Sequence, residues 1–350
     1  MIDLDDRTAL ARIDAADMRG LLRGFPDQVA EAWGWRVDVP AMDTIDRIVV
    51  AGMGGSAIGG DLLATLFRRW DVPLPITTVR DYALPPWADE RTLVIAVSYS
   101  GNTEETLGCA QQALDIGCPM LAVTSGGRLA ELAHAHDVPL ITVPSGQPPR
   151  ASLGYLFAPV LRSLAPHLNR DVEAEMDAAL ALLRSLTTDL DGSPVDANRA
   201  KRLAHELSEG IPICYGSSGV TGAVARRWKT QLNENAEVPA YWDVVPEINH
   251  NELMSWANDD LAARWDFLLL RDGAEAPAIA RRFAVSEELL TERGCRVHEV
   301  QIDGESLLAR LLGLVVLGDW VSYYRAMLRE VDPTPVGLIE AFKRRMTEVQ

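Results

Sequence analysis

The sequence has 350 residues, enough for two domains, and its 48% hydrophobic and 24% charged content is that of an ordinary globular protein. The formal net charge of −17 argues against nucleic acid as a partner, because a phosphate backbone requires clustered lysine and arginine. The start, Met1 to Asp6, lacks a signal-peptide core, and the most apolar stretch, 307–317, is interrupted by Arg310 and too short to span a bilayer. We therefore expect a cytoplasmic protein with no membrane partner.

Cysteine and histidine spacing indicates neither a metal site nor a cofactor. His134 and His136, the closest histidine pair, are two residues apart, a spacing that does not direct both rings of a helix to one metal. The four cysteines include no Cys-x-x-Cys pair and are predicted to be reduced core thiols: Cys109, Cys118, Cys214 and Cys295.

The sequence of the first 150 residues predicts outer helices followed by a doubly wound parallel sheet. The sheet is predicted because strand patterns alternate with helix patterns after residue 46. A Pro/Gly-rich stretch, 144–150, ends this unit. The predicted strands are 47–53, 75–79, 92–98, 119–124 and 138–143, and the predicted helices are 57–69, 103–116 and 127–136.

The second part repeats the pattern after connecting helices over 151–190. In each half an apolar strand runs into a Gly/Ser loop and then a helix, so the halves look like copies of one unit. The predicted elements are strands 211–215, 265–270 and 295–302 and helices 220–235, 305–329 and 335–347. The predicted organisation is an N-terminal helical segment (1–45), a first subdomain (46–150), connecting helices (151–200) and a second subdomain with C-terminal helices (201–350).

The loop Ser98 to Thr103 is the most informative segment, because it crowds three hydroxyls and a glycine between a buried strand and a helix. The free N–H groups of a helix N-terminus attract anions, and glycine permits close backbone approach. Since no residue of the loop is basic, hydroxyls, amides and the helix dipole would have to hold the anion. For this loop alone, a Ser/Thr-rich turn that merely caps a helix is an equal alternative.

A second loop, Gly54 to Asp61, favours the anion site because it also follows a strand. Two such loops can converge on one phosphate at the carboxyl edge of a parallel sheet. A dinucleotide site is a poorer interpretation, since no acidic residue ends a clear second strand about 20 residues on. The second half has Arg271 to Ala276 where the first has Ser98 to Thr103, so we expect that it has lost the anion site.

Candidate acid–base residues lie in the second half. Glu234 stands between two amides near a predicted helix end, and His250 is embedded among amides and acids. A glutamate base and a histidine that titrates near neutrality form a workable pair, although a solvated helix end is the alternative for Glu234. Arg150 and Lys343 are cations that could offset an anion, with surface residues as the alternative.

These segments together resemble the sugar isomerase (SIS) fold, and most closely the bifunctional phosphoglucose/phosphomannose isomerases. The resemblance runs from about residue 47 to residue 345. The motifs that carry it are Gly-Met-Gly-Gly-Ser at 52–56, Ser-Tyr-Ser-Gly-Asn-Thr-Glu-Glu-Thr at 98–106, Pro-Arg at 149–150, Asn-Glu-Asn-Ala at 233–236, Asn-His-Asn-Glu at 249–252 and Val-Asp-Pro-Thr-Pro at 331–335 ahead of Lys343.

The resemblance implies an α/β protein of two SIS-type doubly wound parallel-sheet subdomains with flanking helices. It also implies a metal-independent aldose–ketose isomerase that interconverts glucose 6-phosphate or mannose 6-phosphate with fructose 6-phosphate through an enediol. Glu234 would move the proton between C1 and C2, His250 from the neighbouring subunit would assist ring opening, Lys343 would act at the ring oxygen, and Arg150 would stabilise the enediolate. The phosphate would be held by Gly55, Ser56, Ser98, Ser100 and Thr103 of a homodimer with a shared active site.

Two other functions fit part of the sequence. A non-catalytic sugar-phosphate sensor would keep the phosphate loops and lose turnover, although no helix-turn-helix segment or basic arm is evident. The isomerase half of an amidotransferase would need a glutaminase domain with an N-terminal cysteine, for which this sequence, beginning Met1-Ile2, offers no segment.

Overall fold

The computed structural model describes residues 2–39, 42–207, 210–257 and 264–348. These residues form two parallel sheets covered by helices, which confirms the predicted fold class. The strand over Thr92–Val97 shows why the sheets are parallel and internal. All six of its residues are buried, as a strand covered on both faces requires.

The first sheet is preceded by three short helices and contains five strands. The helices are α1 (Arg7–Ile13), α2 (Met18–Arg23) and α3 (Phe25–Trp33). The sheet unit comprises β1 (Arg47–Ala51), α4 (Gly54–Arg69), β2 (Ile76–Val79), β3 (Thr92–Val97), α5 (Glu104–Ile116), β4 (Met120–Thr124), α6 (Gly127–Ala135) and β5 (Leu140–Thr142). Short 3₁₀ turns occupy Met42–Thr44 and Pro149–Ala151.

Three helices connect the sheets, and the second sheet has four described strands. The connecting helices are α7 (Leu153–Leu164), α8 (Val172–Gly192) and α9 (Arg199–Glu206), with 3₁₀ turns at Ala165–His167 and Val195–Ala197. The second unit comprises β6 (Ile211–Ser217), α10 (Gly222–Ala236), β7 (Tyr241–Val245), α11 (Ile248–Asn251), the 3₁₀ segment Glu252–Ala257, β8 (Trp265–Arg271), α12 (Pro277–Glu292), β9 (Arg296–Gln301), α13 (Leu307–Leu328) and α14 (Gly337–Glu348).

The strand order places a topological switch point beside the first predicted loop pair. The first sheet has the order β2-β1-β3-β4-β5, so the chain moves outward in opposite directions from β1 and β3. Alternate residues of β1 enter different cores. Ile48 and Val50 share a core with α4, whereas Val49 and Ala51 share one with α5. The loops after β1 and β3 therefore open where ligands bind in such sheets.

The second sheet has the order β7-β6-β8-β9, which repeats β2-β1-β3-β4 of the first. This repetition confirms that the halves are copies.

Two elements of the second half, β7 and α12, were not predicted from the sequence. β7 is an edge strand in which only Val245 is fully buried, and α12 buries only Phe283, Ser286 and Leu290, so neither has the continuous apolar pattern of an internal element.

The first glycine-rich loop is largely helical, which corrects its predicted boundaries. β1 ends at Ala51 rather than at residue 53, and α4 begins at Gly54 rather than at residue 57. The turn is possible because Gly54 has a φ of +50°, a value that other residues adopt at a cost. Gly55 and Ser56 thus lie in the first turn of α4.

The long apolar helix α13 is the centre of the second half. Its 22 residues confirm the predicted long helix 305–329. Its apolar part extends beyond 307–317, so by length and composition alone it could cross a membrane, contrary to the expectation from the shorter stretch. However, 94% of its apolar window is buried inside the protein, as in a core helix. It packs on α8, α9 and α10, and therefore fixes the helix that carries Glu234.

Substituting Gly318 of α13 by alanine is expected to destabilise the protein. The added Cβ would lie 2.2 Å from Nε1 of Trp228, a buried α10 residue that donates to Leu314 O. Overpacking of this kind costs about 1–3 kcal/mol, which exceeds the helix-propensity gain. The control is Gly192→Ala at the end of α8, where the Cβ meets open space. Thermal melting should show a lower Tm for Gly318→Ala only, and equal Tm values would contradict this packing.

Candidate active site

The two predicted anion loops meet in the structure. β1 and β3 are neighbours in the sheet, and α4 and α5 begin directly beyond their carboxyl ends. The Ser56 hydroxyl on the first loop accepts a hydrogen bond from the Tyr99 backbone N–H on the second, at 3.2 Å. The predicted convergence is therefore confirmed, and two helix N-termini open at one edge of the sheet.

The hydroxyls of the second loop extend from the interior to the surface. Ser98 is buried, and its Oγ lies 2.9 Å from Oγ1 of Thr103, the residue that precedes α5. Ser100 is exposed, and its hydroxyl accepts from the Asn102 N–H at 3.3 Å. An anion at this edge would thus meet hydroxyl and amide groups on its inner side and solvent on its outer side.

Close backbone contacts explain why glycine occupies two positions of the loops. Gly101 has a φ of +69°, and a Cβ there would lie 1.8 Å from Gly126 O. A Cβ on Gly55 would lie 3.0 Å from Pro149 O and 3.1 Å from the Arg150 backbone N. The second contact brings the Arg150 turn directly against the first anion loop.

Arg150 and Glu234 are brought together although they are 84 positions apart in the sequence. Nη1 of Arg150 lies 3.5 Å from Oε2 of Glu234, near the end of α10. The Arg150 side chain is 4% exposed, whereas the Glu234 side chain is 27% exposed. The site therefore pairs a buried cation with a carboxylate that solvent, and hence a ligand, can reach.

Two segments of the chain, the end of α10 and residues 333–334, bind the Arg150 guanidinium. Its Nε donates to Asn235 Oδ1 at 2.6 Å, and its Nη2 donates to Pro333 O at 2.6 Å and to Thr334 O at 2.8 Å. Burial lowers the pKa of Arg150 from its ordinary value, and the Glu234 carboxylate opposes that shift. Because an arginine guanidinium does not lose its proton in proteins, Arg150 stays cationic near neutral pH.

A buried ion pair beneath Arg150 was missed by the sequence analysis. Arg227 of α10 binds both carboxylate oxygens of Asp319 on α13, at 3.0 and 2.7 Å, and also donates to Arg150 O at 2.9 Å. Gln231 donates to the same carboxylate at 2.9 Å. The sequence feature that could have revealed this pair is Asp319, the single acidic residue of the apolar helix 307–328, since a buried charge requires a partner.

His250 does not meet Glu234 within one chain. Glu234 lies near the end of α10, which returns the chain to the amino edge of the second sheet, whereas exposed His250 follows the carboxyl end of β7. A five-residue strand such as β7 separates these edges by roughly 16 Å. Lys343 is likewise exposed, on α14, a helix with no buried residue.

The corresponding loop of the second half differs as its sequence predicts. Glu275 accepts a hydrogen bond from the Asp272 N–H at 2.9 Å and is paired with Arg271 at 2.8 Å. The Glu275 carboxylate thus accepts a hydrogen bond from a backbone N–H group that a bound anion would need.

Among the residues that the structure describes, no group of three or more His, Cys, Asp or Glu is placed to hold a metal ion.

Known proteins match this chain over most of its length. Residues 196–346 match the model of the bacterial phospho-glucose isomerase C-terminal SIS domain. The bifunctional phosphoglucose/phosphomannose isomerase of Caldicellulosiruptor bescii is 39% identical over 333 residues, covering 93% of this chain and 98% of the relative. That of Aquifex aeolicus is 36% identical over 326 residues, covering 93% and 97%.

The fold comparison covers nearly the whole chain. The crystal structure of a hypothetical protein from Thermus thermophilus is similar with a TM-score of 0.70 at 18% identity, over 97% of this chain and 94% of that one. At this identity the similarity concerns the fold.

Removing one partner of the Arg227–Asp319 ion pair is expected to destabilise the protein more than removing both partners. Asp319→Ala leaves a buried guanidinium without its carboxylate and should cost about 3–5 kcal/mol. The double variant Arg227→Met/Asp319→Leu removes both charges and should cost markedly less. Urea unfolding of both variants measures the difference. A double variant as unstable as Asp319→Ala would show that the charges are not coupled in the folded state.

Proposed function

The chain belongs to the family of bifunctional phosphoglucose/phosphomannose isomerases, and on that basis we propose that it interconverts fructose 6-phosphate with glucose 6-phosphate and mannose 6-phosphate. The observation that carries the proposal is the 3.5 Å contact between Arg150 and Glu234 next to the convergent anion loops. It joins a base, a cation and a phosphate site, which are the groups that an enediolate mechanism requires.

In the proposed complex, the substrate phosphate lies at the edge where α4 and α5 begin. Hydroxyls and backbone N–H groups of the two loops hold the dianion, with the help of both helix dipoles. The proposed phosphate residues are Gly55, Ser56, Ser98, Ser100 and Thr103. The carbon chain of the sugar phosphate then extends toward the Arg150 turn, which contacts the first loop at Gly55.

Glu234 is the proposed base that takes the proton from one carbon of the C1–C2 pair and returns it to the other. As the proton leaves, negative charge develops on the oxygen of the enediolate, and the Arg150 guanidinium stabilises it. C2 is planar in this intermediate, so glucose 6-phosphate and mannose 6-phosphate share it. One carboxylate can therefore serve both epimers, with no redox cofactor in the proton transfer.

His250 and Lys343 are proposed to act in ring opening, and a second copy of the chain is proposed to supply His250. The separation of Glu234 and His250 on opposite edges of the second sheet supports this division. α14 supports a homodimer as well, because it exposes an apolar set that a second copy could cover: Leu338, Ile339, Phe342 and Met346. A cytoplasmic location is also proposed, since all four cysteines are free thiols, as is usual in a reducing compartment.

Glu234→Gln is expected to lower kcat for both epimers by about 10²–10⁴-fold, because an amide cannot accept the proton. KM should change little, since the phosphate loops are untouched. The matched control is Glu237→Gln, an exposed glutamate three positions further on, which should retain activity. A coupled assay on fructose 6-phosphate, with EDTA present, measures both.

Two results would contradict the proposed function. If Glu234→Gln turns over like the unaltered enzyme, the base assignment is wrong. If sugar phosphates raise the Tm of the unaltered protein but are not converted, the chain is a sensor rather than an isomerase.

A shared site predicts complementation between two inactive variants. In a heterodimer of Glu234→Gln and His250→Ala, one of the two sites receives an intact glutamate and an intact histidine. Co-expression in equal amounts should therefore restore about a quarter of the unaltered activity, since half of the dimers are mixed. Differently tagged copies allow the mixed dimer to be isolated and assayed. If isolated mixed dimers remain inactive, each site draws both residues from one chain.

A further inference from the structure

We infer that Asn235 is a positioning residue that keeps the full charge of Arg150 available to the reacting carbons. The inference rests on the proposed function and concerns a side chain to which that function assigns no role. Asn235 is buried, and its two polar side-chain atoms are hydrogen-bonded to Arg150 and Ser322. It acts through Arg150, whose Nε donates to its Oδ1 at 2.6 Å.

The atoms that anchor Arg150 are uncharged oxygens. Three of its five N–H groups are directed to uncharged oxygens, namely the Asn235 amide and the carbonyls of Pro333 and Thr334. Neutral acceptors fix the guanidinium plane without cancelling its charge. Nη1 remains directed toward Glu234 at 3.5 Å, where the substrate would lie.

The neighbouring arginine shows the opposite arrangement. Arg227 is equally buried, but both of its interactions with Asp319 are to a carboxylate, so its charge is neutralised within the protein. Arg227 in turn holds the Arg150 backbone carbonyl at 2.9 Å. One buried arginine is thus neutralised by a buried carboxylate, while the other is held by neutral acceptors and faces the partly exposed carboxylate of Glu234.

The orientation of the Asn235 amide is also fixed. Its Nδ2 donates to Ser322 Oγ at 2.9 Å, and the Ser322 hydroxyl donates to Asp319 O at 2.7 Å. A flipped amide would turn Nδ2 toward the Arg150 N–H group and lose both bonds. The Ser322 hydroxyl on α13 therefore specifies that an oxygen, rather than an NH₂ group, faces Arg150.

The most direct test is Asn235→Asp, which keeps the shape and the accepting oxygen but adds a negative charge. Next to Arg150 the new carboxylate is ionised and offsets the guanidinium charge. We expect kcat for fructose 6-phosphate to fall about 10- to 100-fold, the loss of one charged hydrogen bond to the enediolate, while KM changes less than about threefold. Ser322→Ala, which frees the amide to rotate, should give the same split with a smaller fall in kcat.

The matched control is Asn198→Asp at the start of α9. Asn198 is also buried, its Oδ1 accepts from Lys201 N and its Nδ2 donates to Leu190 O, but none of these bonds involves Arg150. The chemical change is therefore the same, and any general effect of a buried aspartate appears in its Tm. We expect Asn198→Asp to keep the kcat of the unaltered protein.

A binding measurement separates this inference from the proposed function. A sugar-phosphate hydroxamate carries enediolate-like charge at C1–C2, whereas sorbitol 6-phosphate does not. Asn235→Asp should weaken hydroxamate binding at least tenfold in calorimetry and leave sorbitol 6-phosphate binding unchanged. Unaltered hydroxamate affinity, or an equal loss for both ligands, overturns the role of Asn235. Absence of turnover in the unaltered protein would overturn the proposed function alone, since the two affinities still report on Arg150.

Discussion

The architecture depends on the burial of one guanidinium at the junction of the two halves. Arg150 lies on a turn against the first anion loop, and its donors are taken up by the end of α10 and by the segment before α14. A buried charge is costly unless hydrogen-bonded, so this residue constrains all three segments at once. The Arg227–Asp319 pair below it ties the same junction to the apolar helix α13.

The junction follows from how the copies pack. α4 and α10 are equivalent helices, and they lie antiparallel, because the start of α10 contacts the middle of α4 through Arg226 and Asp61 while the loop before α10 approaches Arg68 near the end of α4. Antiparallel packing brings the carboxyl edge of the first sheet to the amino edge of the second. The loops after β1 and β3 of one copy therefore face the end of a helix from the other, where Glu234 lies.

The same packing places the equivalent loops of the two copies in different surroundings. The carboxyl edge of the second sheet, with Asp272 and Glu275, is remote from this junction, and its loop is closed by its own carboxylate. His250 lies at that remote edge as well. Because His250 is remote from Glu234 of its own chain, it can take part only in the active site of another copy. The proposed enzyme therefore requires a second copy of the chain.

Short sequence patterns were sufficient to predict the anion loops, the repeated units and the parallel sheets. Each of these features is marked by apolar runs, or by glycines and hydroxyls at strand ends, that lie within a few residues of one another. The proximity of Arg150 and Glu234 followed only from the family resemblance. The anchors of Arg150 were not predictable, since two are backbone carbonyls and carry no side-chain signal. β7 was missed because an edge strand with half-buried residues has no clear period.

The proposed reaction requires that the substrate phosphate binds at the two convergent loops and that C1 and C2 lie between Glu234 and Arg150. A crystal structure with a bound open-chain hexose 6-phosphate analogue tests it most directly. We expect phosphate oxygens within hydrogen-bond distance of Ser56, Ser98 and Thr103, and a Glu234 oxygen about 3–3.5 Å from C1 or C2. A phosphate bound elsewhere, or a Glu234 carboxylate beyond reach of both carbons, would contradict it.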